Sequence, residues 1–371
     1  MEIAINRDIF LKSLSHAYGI IEKKTTLPIL SNILIEAKDS KVRITATDLD
    51  IIYSEQVVLQ EMKKEGSTTT SASVLYDILR KLETNSKVEL SLQSTNKLRL
   101  VSGNSVFNLL CIPSDNFPLS NEDISQKTFK VSSQKLLKLL NNTKISISND
   151  ETRHYLNGIY LHKTQSENMS FLTGVATDSH RLSSSSFEID SATEFESIIL
   201  PKKTIFQLIS LLEQNTSDIK ISNNKSKIKF EMNNGVLISK VIDGRFPDYS
   251  KVVPQDNNKM LQVKLNEFKN SIERVTTVSL DRKEGLKMTI TKNSLQLSVT
   301  SPNSGEGIEN INAQFNSEDM NVSFNSKYLI DIISQINNDS VVINLKDPGS
   351  PVLIKDLLDK NSFHVVMPMK I

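Results

Sequence analysis

Apolar residues return every three or four positions in six short stretches of the chain, and between those stretches they alternate with polar residues. The first spacing buries one face of a helix and the second buries one face of a strand. Leu14, Leu140 and Ile272 mark one helix pattern, which recurs after 126 and then 132 residues. Such steps are too long for a solenoid repeat and suit a domain. A second helix pattern follows each time, first as Leu75, Ile78, Leu79 and Leu82, next as Ile205, Leu208, Ile209 and Leu212, last as Leu329, Ile332, Ile333 and Ile336.

The alternating segments keep the same order in each copy. After the first helix, copy one runs LPILSNILIEA and VRITATD to Asp48, copy two HYLNGIYLHK and FLTGVATD to Asp178, and copy three EGLKMTITK and LQLSVTSPN to Asn303. The first two copies close on SDNFP at Ser114 to Pro118 and IDGRFP at Ile242 to Pro247, where Pro with Gly or Asn marks a turn. Within copy one, strand, helix and three strands occur twice. EIAI, a helix from Asp8 to Ile21 and strands near Ile29, Val42 and Ile52 form the first set. A strand at Gly66 to Thr70, a helix from Ser73, then KVELSL, KLRLVS and SVFNLLC form the second. The pattern predicts an α+β protein of three repeated domains, 1–124, 125–252 and 253–371, each of two βαβββ half-units, with boundaries near Asn121 to Lys127 and Ser250 to Asp256.

Composition narrows the function. The 371 residues suit three domains, each large enough to bury a core. Lys and Arg number 44 against 43 Asp and Glu, so no global field marks a nucleic-acid binder, and any basic surface must come from uneven placement. Cys111 is the single cysteine, lies in an alternating apolar segment and reads as a small buried hydrophobe in a reducing compartment. No charged leader precedes an apolar stretch, and no run approaches the roughly 18 apolar residues of a membrane span. A soluble, cytoplasmic protein without membrane contact is expected.

Catalytic signals are sparse. The five histidines, His16, His154, His162, His180 and His364, include no pair at helical metal spacing, and there is no phosphate-cradling glycine loop. No metal or cofactor is expected. Thr177 to His180 does contain the residue types of a hydrolytic triad, but in an extended segment Asp178 and His180 would share a face while Ser179 turned away. The other reading is a polar strand end whose Asp bonds local backbone, and Asp48, at the matching place without a histidine, favours it.

Cations gather on the helix patterns. Arg7, Lys12, Lys23 and Lys24, then Lys135, Lys138 and Lys144, then Lys264, Lys269 and Arg274 accompany the first helices, and Arg80, Lys81, Lys202, Lys203 and Lys327 the second. Acids such as Asp8, Asp77, Glu267 and Asp331 are interspersed, so solvated helix faces and a nucleic-acid surface both fit. Lysine neutralises phosphate without the planar fork that reads guanine, and Trp is absent. With few stacking platforms, duplex backbone fits better than single strand.

TLPILSNILIE at Thr26 to Glu36, RHYLNGIYL at Arg153 to Leu161, VATDSHRL at Val175 to Leu182, IDGRFPDY at Ile242 to Tyr249 and the terminal VVMPMKI together resemble the bacterial DNA polymerase III β subunit family, the sliding clamps. The resemblance runs from end to end. It implies a DNA clamp fold, a head-to-tail homodimer closed into a ring with helices lining the hole, and a non-catalytic processivity factor around duplex DNA. It also implies a groove for short peptides of the DNA polymerase III alpha subunit, the clamp loader, other polymerases and repair proteins. Carried over by position, that groove comprises Leu156, Thr177, Ser179, His180, Arg181, Leu182, Pro247, Lys251, Val252, Val365, Met367, Pro368 and Met369. Ser179 stands where the family commonly has Gly, and Lys251 where Arg is frequent. Flexible Met367 and Met369 beside a rigid Pro suit a groove that repacks around different ligands. Without the resemblance, the same tail reads as a last edge strand blunted by Pro368. For DNA, the resemblance points to Lys24, Arg153 and Tyr155, and helix position and charge add Lys202. In copy three, Lys283 and Glu284 occupy a loop where the family can place aromatic and basic residues. Phe107 and Val278 are the expected dimer seam. A protein-binding scaffold and a hydrolase using Asp178 and His180 are the alternatives.

Overall fold

The computed structural model describes residues 1–22, 26–119, 124, 128–279 and 285–370. Lys23, Lys24, Lys283 and Glu284 lie outside these.

The half-unit order expected from the sequence occurs six times. The first consists of β1 (Glu2–Asn6), α1 (Arg7–Tyr18), β2 (Asn32–Lys38), β3 (Lys41–Thr47) and β4 (Ile51–Val58). After a short β5 (Glu61–Lys64), the second consists of β6 (Gly66–Ser71), α2 (Ala72–Lys81), β7 (Lys87–Ser94), β8 (Lys97–Ser102) and β9 (Ser105–Ile112). Copy two supplies β10 (Phe129–Val131), α3 (Ser133–Lys144), β11 (Gly158–Ser166), β12 (Met169–Thr177) and β13 (Arg181–Ile189). It continues with β14 (Ile198–Pro201), α4 (Lys202–Leu212), β15 (Ile219–Asn223), β16 (Lys227–Glu231) and β17 (Gly235–Lys240). Copy three supplies β18 (Lys259–Lys264), α5 (Leu265–Val275), β19 (Gly285–Ile290), β20 (Ser294–Ser301) and β21 (Gly305–Phe315). It ends with β22 (Met320–Asn325), α6 (Ser326–Ile333), β23 (Ser340–Leu345), β24 (Val352–Lys355) and β25 (Ser362–Val366).

Helices start where strands end because the joint residues cap them. The Asn6 side chain accepts from Asp8 N and Ile9 N, and Asn325 accepts from Lys327 N and Tyr328 N, satisfying N–H groups that the helix cannot pair itself. Spaced apolar positions then face inward. Phe10 and Leu14 on α1, Phe268 and Ile272 on α5, and Leu329 and Ile332 on α6 are all fully buried.

Two expected elements differ. Helix α1 stops at Tyr18 rather than Ile21, with Gly19 as its C-cap and the carbonyl of His16 in its last turn taken by Gln207 Nε2 at 2.6 Å. The strand expected near Ile29 begins only at Asn32. Pro28 to Ser31 form a 3₁₀ turn, since Pro28 has no N–H to give a ladder and its fixed φ suits a first helical position.

The chain forms two compact units, which cut across the three sequence copies. One contains Met1–Gln134, Glu194–Glu196 and Phe206–Val241; the other contains Lys135–Thr193, Ser197–Ile205 and Ile242–Ile371. In the first unit, β17 pairs antiparallel with β4, Leu237 opposite Tyr53, inside one 13-stranded sheet. In the second, β13 pairs with β25, Leu182 opposite Val365, inside a 12-stranded sheet. Strand β25 also pairs with β24, so it is an interior strand and not the edge strand that the tail suggested. The second unit holds a large apolar cluster around Phe268, Met288, Leu297 and Phe324. A smaller one of Leu156, Val175, Leu182, Ile199, Phe246, Leu353 and Val365 carries the candidate site.

Candidate functional site

Residues 178–180 connect β12 to β13 as a tight turn, so the extended arrangement considered for Asp178 and His180 is not formed. Asp178 Oδ1 accepts from the N–H groups of His180 and Arg181, both at 3.0 Å, and Thr177 Oγ1 accepts from Ser179 N at 3.1 Å. Copy one builds the same turn. There Asp48 Oδ1 accepts from Asp50 N and Ile51 N, Thr47 Oγ1 accepts from Leu49 N, and Leu49 and Ser179 share a φ of 78°. The aspartate is therefore architectural. Its second oxygen accepts from Arg181 Nε at 3.1 Å, and no hydrogen bond joins it to the His180 ring. Nothing resembling a base–nucleophile relay results, which removes the hydrolase alternative at this site.

Beside the turn lies a cavity of about 290 Å³, lined by Thr177, Ser179, His180, Arg181, Leu182, Pro247, Asp248, Tyr249, Val252, Val365 and Met367. Leu182 and Val365 are cross-strand partners on β13 and β25, so ladder register sets them side by side as the floor. Val252, 52% exposed, and Met367, 43% exposed, leave apolar surface open to a ligand. Nine of the thirteen groove residues drawn from the sequence come together here.

Four do not line the cavity. Leu156 is buried beneath it in the cluster with Leu182 and Val365. Lys251 projects into solvent beside Asp248, its Nζ 3.5 Å from Oδ2. Pro368 and Met369 continue the tail, whose backbone is pinned by Met367 N donating to His180 O at 2.9 Å and Met369 N to Ser323 O at 2.7 Å. Asp248 and Tyr249 were missed, although both lie inside the IDGRFPDY motif and immediately follow Pro247.

Arg181 stabilises the groove from within. Its guanidinium is buried, donates to Asp178 Oδ2 at 3.1 Å and Asp331 Oδ2 at 2.7 Å, and sits 4.3 Å from the centre of the Tyr328 ring. Two carboxylates and a ring face compensate the buried charge, so the groove wall presents the stem of Arg181 without an unpaired cation behind it. Tyr328 and Asp331 lie three residues apart on α6, and nothing in the sequence marked them as Arg181 partners.

The residues assigned to DNA are placed variously. Arg153 donates from Nε to Asp150 Oδ2 at 2.8 Å and from Nη1 to Ser179 Oγ at 2.5 Å. Tyr155 packs half-buried against the small apolar cluster, and Lys202 Nζ donates to Asn149 Oδ1 at 2.5 Å. Of the seam candidates, Phe107 is half-buried on β9 between Val106 and Asn108, and Val278 packs against the large cluster of the second unit. Leu110, on the same strand as Phe107, is 84% exposed.

Elsewhere the chemistry is quiet. Burial pushes the Cys111 thiol up, away from reactivity. Burial also lowers His162 and His364 to about 4, keeping both rings neutral near pH 7. Among the described residues no cluster of His, Cys, Asp and Glu could hold a metal, and no helix is long and apolar enough to cross a membrane.

Known proteins match the whole chain. The N-terminal, central and C-terminal domains of the DNA polymerase III beta subunit match residues 1–121, 130–248 and 250–370. The beta sliding clamp of Caulobacter vibrioides strain NA1000 is 33% identical over 373 residues, all of both chains, and that of Escherichia coli K12 is 29% identical over 371, again all of both. A crystal structure of a sliding clamp (DNA polymerase III subunit beta) from Bartonella birtlesii bound to griselimycin superposes with a TM-score of 0.96 at 38% identity, covering 100% of each chain.

Proposed function

The chain belongs to the DNA polymerase III beta subunit family, the non-catalytic sliding clamps that serve as processivity factors in DNA replication, and from this premise we propose how its residues perform that role. Two copies join head to tail into a ring with the helices lining the hole. Duplex DNA passes through it without sequence readout, held by topology and by lysine contacts to phosphate. Lys24 and Lys202 supply such contacts, with Arg153 and Tyr155 near the duplex path. The seam uses Phe107 on β9 and Val278 after α5. A heterologous contact that closes after two copies gives a ring with twofold symmetry.

The groove receives short peptide segments of the DNA polymerase III alpha subunit, the clamp loader, other polymerases and repair proteins. The observation that carries this reading is the cavity of about 290 Å³ with its Leu182 and Val365 floor and half-exposed Val252 and Met367. Apolar anchors entering a largely preformed pocket are how a short peptide offsets its ordering entropy. Such a protein works beside the replication machinery in the cytoplasm.

Residence on DNA tests the whole reading. Protein loaded on nicked circular duplex should remain through gel filtration and be shed when the circle is cut, while native mass spectrometry reads two copies. Equal residence on circles and linear duplex, or a monomeric mass, would refute the ring.

A further inference from the structure

The turn that copies one and two share isolates what one hydroxyl does. Both turns close with the same hydrogen bonds, and both hold their middle residue at φ 78°, a left-handed conformation that glycine adopts more readily than a residue with a side chain. In copy one that residue is Leu49, so closure needs no hydroxyl. In copy two it is Ser179, which lines the groove and accepts a 2.5 Å hydrogen bond from Arg153 Nη1. Asp150 takes Nε of the same guanidinium at 2.8 Å, while its oxygens also accept from Thr152. The Thr152 hydroxyl first, and Arg153 next, hold the Asp150 carboxyl down to about 2, so it stays ionised at working pH. Among the described residues, Nη2 of Arg153 has no hydrogen-bond partner.

From this geometry we propose that Ser179 is a specificity-determining positioning residue: its hydroxyl fixes Arg153 at the groove rim, selecting partner peptides that carry a carboxylate beside their apolar anchor. The proposal rests on the groove being the peptide site. Guanidinium suits the task because its donors lie in one rigid plane, so anchoring Nε and Nη1 also fixes the edge that bears Nη2. Two other cations of the groove motifs are already paired: Arg181 is held by Asp178 and Asp331, and Lys251 is drawn to Asp248. The Arg153 edge is thus what an incoming carboxylate would meet beside Ser179.

The test titrates labelled DNA polymerase III alpha-tail peptides that carry Asp or Asn immediately before, or immediately after, the apolar anchor. Wild type should favour one Asp form by about fivefold, the upper reach of an exposed ion pair. In Ser179→Ala and Ser179→Gly that ratio should fall below about twofold. Arg153→Ala should abolish it equally, and combining it with Ser179→Ala should add nothing further, as expected for residues acting as one unit. Ser179→Gly should also melt higher than Ser179→Ala, because glycine relieves the left-handed strain. Leu49→Gly relieves the same strain in copy one and should keep the full preference for Asp. A ratio near one in wild type, or a preference that survives both Ser179 variants, overturns the proposal. Failure of wild type to bind any of the peptides would instead overturn the groove reading beneath it.

Discussion

Mild acid should loosen the strand that carries the groove floor, through His364. This residue lies on β25 next to Val365, is 3% exposed, and places Nδ1 2.8 Å from Ser183 Oγ. Burial lowers its pKa to about 4; the Asp359 charge raises it slightly and the Arg181 charge lowers it. The unfolded chain should titrate near 6.5. Because the folded value is the lower one, the unfolded state binds the proton first, so this contribution is complete above pH 6.5 and is lost as pH falls toward 4. At pH 5 the loss is about 2 kcal/mol, approaching about 3 kcal/mol below pH 4. His162, also lowered to about 4 by burial, adds in the same direction. His16 has the opposite sign. Burial opposes its charge, but the Glu55 hydrogen bond at 2.9 Å prevails and raises its pKa, so its contribution is present below about 6.5 and lost as pH rises through the folded value. Thermal unfolding of wild type and His364→Gln from pH 8 to 4.5, with ¹³C-histidine NMR of the five rings, measures this directly. The variant should be the less pH-sensitive below 6.5, and peptide affinity of the wild type should fall over the same range. A His364 resonance that titrates near 6.5, or equal acid losses in both proteins, would refute the reasoning.

Deleting residues 367–371 removes Met367 from the groove and the backbone bonds to His180 and Ser323, and should weaken peptide binding at least about tenfold, or about 1.4 kcal/mol, with the dimer intact by native mass. Arg181→Ala leaves Asp178 and Asp331 without their buried cation and should cost about 3 to 5 kcal/mol, read as a clear drop in melting temperature and loss of peptide binding. Phe107→Asp and Val278→Asp should each give monomers on sedimentation; dimers in both would place the seam elsewhere. Alanine at Lys24 and Lys202 should weaken duplex binding alike across sequences and make its salt dependence shallower by about one unit per lost contact.

Repetition made the fold legible. Leu14, Leu140 and Ile272 sit on equivalent helices because apolar spacing depends only on residues three and four apart, and the half-unit order follows from the same local rule. Local rules erred where a particular residue intervened, as at Pro28 and Gly19. The groove was legible in part. Thr177 to Leu182 and Pro247 to Val252 stood out as motifs, but their meeting with Val365 depends on the register of β13 against β25, which pairs residues 183 positions apart.

What the chain determined alone was therefore periodic or contiguous: six half-units, the turns at Asp48 and Asp178, and the apolar character of the tail. Tertiary structure decided which of those pieces touch. It made the tail strand interior, set Arg181 between Asp178 and Asp331, drew Arg153 to Ser179, and buried His364 deeply enough to keep it neutral. Spacing along a chain sets which side a residue faces within its own element, whereas partner identity depends on long-range strand register and on packing, which no local pattern encodes.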